Sequence, residues 1–121
     1  MNNRVTHFEF YSRDPAASVE FFENALGWSF ERWGDQPYWL ANTGNAEGGI
    51  NGAVSSLPDP SLDPHTLNTI DVEDLDIAIE SCEAAGGSKT SDVVDIPGVG
   101  RWVQIREPGG NLFGMMEPAS Q

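Results

Sequence analysis

The sequence predicts an α+β domain made of two similar strand–helix–strand–strand–strand halves, and three observations carry that prediction. The chain repeats itself: Asp14 and Asp74, Val19 and Ile79, Phe22 and Cys82, and Gly27 and Gly87 each lie 60 positions apart, as two like units completing each other's sheet would. Between the copies, Leu57–Pro64 holds three prolines in eight positions, which neither helix nor central strand tolerates. The C-terminal end, Gly98 to Pro118, reads as two apolar-rich runs, Arg101 to Arg106 and Asn111 to Met116, around Glu107-Pro108-Gly109-Gly110. That is the composition of a tight turn between paired strands.

Taken in order, Arg4 to Tyr11 alternate as a strand, with Phe8 and Phe10 on one face and Val5, His7, Glu9 and Tyr11 on the other. Asp14-Pro15 then supplies an N-cap acceptor and a proline at the first helical position. Val19, Phe22 and Leu26 recur at helical spacing up to Gly27, so the helix is expected from about Pro15 to Leu26. Trp28 to Trp33 and Tyr38 to Asn42 read as strands around Gly34-Asp35-Gln36-Pro37, and a glycine-rich bend leads to a fourth strand near Ile50 to Ser55. Past the proline segment, Leu67 to Val72 alternate as a strand and Asp74 caps a second helix. Its stripe is Leu75, Ala78, Ile79, Cys82 and Ala85, ended by Gly86-Gly87. Cys82 is therefore a helix-face residue, without the exposure or cationic neighbour of a reactive thiol. The halves are expected at about 4–56 and 65–118, joined by 57–64 within one domain.

The repeat, the proline-rich crossing and the closing run, an acidic-Pro-Gly-Gly-Asn turn before a strand ending in Glu117-Pro118, together resemble the vicinal oxygen chelate superfamily. Glyoxalase I, bleomycin-resistance proteins, fosfomycin-resistance enzymes and extradiol dioxygenases belong to it. The resemblance spans about Val5 to Pro118. It implies two βαβββ units forming a curved mixed sheet around a cleft, and a homodimer. It also implies, in metal-dependent members, a divalent ion held by one ligand from the first and last strand of each half, acting as a Lewis acid. His7 matches the first-strand ligand and Glu117 the terminal one. The other two positions do not match: Leu67 stands where a second histidine would, and the fourth strand offers only Asn51 and Ser55. His65 lies two residues before Leu67, on the same face but roughly 6.6 Å along the strand, so a bulge or shifted register is needed to bring it in as a substitute ligand. The metal-free alternative pairs His7 with Glu117 or Glu9.

The chain carries a formal charge of −13, with Lys89 as its one lysine beside five arginines. That charge argues against nucleic acid and against an anionic membrane surface. A surface adapted to high salt is the favoured source of the acidity; attraction of a cationic ligand is the other. One cysteine excludes an intrachain disulfide framework, and the opening residues contain no apolar leader, so a cytoplasmic setting is expected.

Trp39 and Trp102, 63 positions apart, are expected on matching strands and, with Glu9, Phe113 and Met115, are candidates to line a ligand cleft. Catalytic residues are not assigned. The expected function is small-molecule binding by a glyoxalase/bleomycin-resistance-like protein with a degenerate metal site and no cofactor. The alternatives are a lyase, isomerase or dioxygenase using a divalent metal at His7, Glu117 and His65, and a resistance protein that sequesters a cationic drug.

Overall fold

The computed structural model describes residues 3–120. Its elements run β1 (Arg4–Ser12), α1 (Pro15–Leu26), β2 (Ser29–Arg32), β3 (Tyr38–Asn42), β4 (Gly52–Ser56) and β5 (His65–Asp71). Then follow α2 (Leu75–Ala84), β6 (Ser88–Lys89), β7 (Val94–Ile96), β8 (Gly100–Arg106) and β9 (Leu112–Pro118). The class is α+β. The chain divides into two compact units, His7–Leu67 and the remainder, in which residues 3–6 join residues 68–120.

In the first unit the strand order is β2-β3-β4-β1, with β1 parallel to β4 and the other pairs antiparallel. Local chemistry sets α1. The Asp14 carboxylate accepts from the Ala17 N–H at 3.1 Å, Pro15 opens the helix, and Gly27 closes it at φ 72°, a left-handed conformation that glycine adopts without strain. Phe8 and Phe10 face this helix. Phe10 stacks on Phe22 at 5.1 Å and Phe22 on Trp28 at 4.7 Å, so one aromatic layer joins helix to sheet. Gly52 is required beneath it: a Cβ there would lie 2.6 Å from the Phe8 ring and against the Phe8 carbonyl.

In the second unit the order is β5-β9-β8-β6, with β7 also paired to β8. The sequence predicts three strands after the helix; two short ones, β6 and β7, share the outer edge of β8 instead. The core is Val72, Leu75, Val103, Ile105 and Met115, with Ile70, Ala78, Ile79, Cys82, Val93 and Phe113 packed on it. Cys82 thus takes the helix-face position its spacing indicates. The β8–β9 turn is built by Glu107, whose carboxylate accepts the N–H groups of Gly109 (2.6 Å) and Asn111 (2.9 Å) while Gly110 takes φ 102°.

Candidate functional site

The face of β1 opposite α1 presents His7, Glu9 and Tyr11. β4 runs beside it, with Ala53 and Ser55 on the same face, in register with Glu9 and Tyr11. Beyond it β3 places Leu40 and Tyr38 opposite those two residues. Because Ala53 and Ser55 are small, the Tyr38 side chain reaches across β4 to β1. Its hydroxyl donates to Glu9 Oε2 at 2.6 Å, and the Tyr11 hydroxyl donates to Glu9 Oε1 at 2.5 Å. His7 Nε2 lies 3.0 Å from the Tyr38 oxygen and 3.6 Å from Glu9 Oε2. His65 stacks on Tyr11 at 4.9 Å and donates from Nδ1 to the Asp63 carbonyl at 2.8 Å. The unit therefore gathers His7, Glu9 and His65 around a pair of tyrosines.

This cluster is half-enclosed: the Glu9 side chain is 14% exposed and that of His7 30%. Burial by itself raises the Glu9 carboxyl pKa, but hydrogen bonds from the Tyr11 and Tyr38 hydroxyls and the nearby His7 imidazole together outweigh it, and the net shift is downward. Both phenols move the other way. Burial, then the neighbouring Glu9 charge and the bond to it, push Tyr11 and Tyr38 well above the ordinary phenol range. Glu9 is thus an ionised acceptor served by neutral hydroxyls. Tyr38 has one hydroxyl proton, and it goes to Glu9, so His7 Nε2 must be the donor to the Tyr38 oxygen.

The remaining sequence candidates sit differently. Trp39 shares its face with Phe10 and Val54, toward α1, and carries the Arg32 guanidinium 5.0 Å over its ring. Trp102 alternates against core residues Val103 and Ile105, so it faces away from α2, where it covers Gly114 and donates to Thr69 Oγ1 at 3.4 Å. The two tryptophans therefore do not occupy like faces of their units: their spacing of 63, against 60 for the helix pairs, did not carry equal alternation through the different turns. Met115 is 3% exposed in the core under α2, and Phe113 packs on that core. Neither lines an open face. Glu117, on the same side of β9, accepts the Leu75 N–H at the start of α2 at 2.9 Å and lies 3.6 Å from Arg101. A hollow of about 350 Å³ beside it is bordered by Asp95, the Pro97–Gly98 turn, Arg101 and Pro118.

Each of the candidate ligands His7, Glu9 and Glu117 is engaged by a protein group. His7 Nε2 carries a proton, both Glu9 oxygens accept from phenols, and Glu117 is held by the helix N-terminus and Arg101. Among the described residues no three His, Cys, Asp or Glu side chains converge in a metal-holding group. Tyr11 and Tyr38 are the site residues that spacing alone did not single out. Tyr11 was legible as the next same-face residue after Glu9, whereas Tyr38 needed the register across β4.

Comparison with known proteins agrees with this architecture. The profile of the Glyoxalase/Bleomycin resistance protein/Dioxygenase superfamily matches residues 4–115. A Mycobacterium bovis protein whose name describes it as a glyoxylase, CFP32, is 31% identical over 116 residues, covering 93% of this chain and 43% of that protein. The chain thus spans less than half the length of the curated relative it matches. Among solved structures, methylmalonyl-CoA epimerase from Mycobacterium tuberculosis superposes with a TM-score of 0.69 at 18% identity, over 96% of this chain and 88% of the other. The Mn(II)-bound glyoxalase from Novosphingobium aromaticivorans gives 0.71 at 17%, over 98% and 40%. These likenesses establish the fold, and the profile match establishes kinship: the chain belongs to the Glyoxalase/Bleomycin resistance protein/Dioxygenase superfamily.

Proposed function

We propose that this chain binds a small organic molecule at the His7–Glu9–Tyr38 face of its first unit, without a tightly held transition metal. The observation that carries the reading is the tyrosine clasp. A half-enclosed carboxylate with a neighbouring imidazole offers polar anchoring on a strand face, and each of its oxygens already accepts a hydrogen bond from a tyrosine hydroxyl. Glu9 belongs to this face; Trp39, Phe113 and Met115 contribute to packing and Trp102 to the Thr69 contact. The reading extends to a cytoplasmic homodimer suited to high salt, for which the −13 charge and the exposed Phe21 and Leu26 of α1 are the support.

The test is elemental analysis of untagged protein purified without chelators, followed by calorimetric titration with manganese, nickel and zinc. Substoichiometric metal and weak titration are expected. The second reading, a metal-dependent lyase, isomerase or dioxygenase, draws on the family and on the Mn(II)-bound glyoxalase of the same fold. Tight one-to-one binding abolished by His65→Ala would establish that reading and overturn the first.

A further inference from the structure

Of the four tryptophans, three have a ring or a cation against them: Trp28 stacks on Phe22, Trp33 meets Tyr38 edge-on and Trp39 carries Arg32. Among the described residues Trp102 has neither, although its ring is held in place. β8 turns Val103 and Ile105 into the core under α2, so Trp102 and Gln104 take the other face of the sheet. There the indole lies across Gly114, where a Cβ would sit 2.3 Å from Nε1, and its N–H donates to the buried Thr69 hydroxyl at 3.4 Å. Glycine at 114 lets the ring settle on the β9 backbone, and the Thr69 bond fixes its direction. The ring stays half-buried, with Val94 of β7 and Met116 of β9 in register on either side of it.

A polar group stands at the edge of that ring. Gln104 is in register with Gly114, and its Oε1 accepts from the Thr90 hydroxyl at 3.1 Å, which turns the NH2 group away from Thr90. Among the described residues that Nε2 has no hydrogen-bond partner. Asp71, in register with Met116, accepts the Thr6 hydroxyl at 2.9 Å and puts a carboxylate on the same face, where it opposes an anionic ligand. The face of an indole is electron-rich and favours an electron-poor ring in offset stacking. We infer that the second unit has a ligand face of its own, where an uncharged, electron-poor aromatic ring stacks on Trp102 and accepts a hydrogen bond from Gln104 Nε2. None of these residues belongs to the His7–Glu9–Tyr38 face, so the two faces are tested separately.

Nicotinamide and cyclohexanecarboxamide are the probes, because both carry a carboxamide edge and only the first has an aromatic face. Nitrogen-15 NMR of the whole chain reads the indole N–H signals, with Trp102→Leu used for assignment. Titration with nicotinamide should move the Trp102 signal and the Gly114 amide, and cyclohexanecarboxamide should leave both in place. Trp102→Leu should weaken nicotinamide binding, followed by saturation transfer to the ligand, about tenfold, the scale of one stacking contact. Gln104→Met should weaken it roughly threefold, the scale of one neutral hydrogen bond, while the Trp102 signal still moves. If Trp102→Leu does not fold, the two probes on the wild type and the Gln104→Met titration still decide. Equal shifts with both probes, movement of another indole alone, no movement at all, or an affinity indifferent to both variants overturns the inference.

Discussion

Glu9 sets the energetics of the first unit's polar face, because a carboxylate only 14% exposed tolerates burial through the donors that surround it. Removing one donor leaves part of that charge unpaired. Tyr11→Phe is expected to lower stability by about 2 kcal/mol, the scale of a hydrogen bond to a charged group, and urea unfolding of the variant checks it. The sign of the pH dependence follows from the downward shift of Glu9. Its stabilising contribution is complete above the unfolded carboxyl value of about 4.3 and is lost as pH falls through the lower folded value. Glu9→Gln should therefore flatten the acid limb of the stability profile; a variant that melts with the wild-type acid dependence would show that other carboxylates govern it. Gly52 makes a second residue-scale case. A methyl group there would press on the Phe8 backbone and ring, so Gly52→Ala should cost about 2 kcal/mol, the usual range for overpacking, measured by the same unfolding.

At the scale of elements, the N-terminus of α2 is fastened twice. Asp74 accepts the Ile77 N–H at 3.0 Å and Glu117 accepts the Leu75 N–H at 2.9 Å, which satisfies two of the donors a helix leaves open at its start. Arg101 bridges Asp76 and Glu117 at 3.2 and 3.6 Å, so strands β8 and β9 are tied to the first turn of the helix. Glu117→Ala should reduce stability by roughly 1 kcal/mol, as loss of a capping acceptor does. It should speed amide hydrogen exchange in that turn and leave metal content unchanged. Unaltered exchange at Leu75, or a fall in bound metal, would show that Glu117 serves something other than the helix. Glu117 stands at a strand end next to a proline in the sequence, where the family resemblance implies a metal ligand. Its contact with Leu75, 42 residues earlier, depends on how α2 lies across β9.

For the whole molecule the leading physical quantity is the charge of −13. Like charges on a small folded body repel more than on an expanded chain, and salt screens that repulsion. The melting temperature is expected to rise as potassium chloride increases from millimolar to molar; a flat or falling trend would assign the acidity to a cationic ligand. Light scattering at micromolar protein and molar salt should give twice the chain mass, and a clean monomer there would remove the homodimer from the proposed function. No helix among the described residues is long and apolar enough to cross a membrane.

What the sequence determined by itself were features of short range. Asp14-Pro15 to Gly27 and the Asp74 cap place both helices within a residue of their observed bounds, because capping chemistry acts over three or four positions. Strand alternation likewise put His7, Glu9 and Tyr11 on one side and Phe8 and Phe10 on the other. Tertiary structure decided which side β3, β8 and β9 turn toward their helices. Phe113, Met115 and Glu117 do share a face, but it is the face packed under α2. Trp39 and Trp102 part company for the same reason. Tyr38 joined Glu9 only because β4, with its small Ala53 and Ser55, lies between them in a register no local pattern encodes. Side-chain period reports alternation, while the direction of a face depends on pairing between strands distant in the chain.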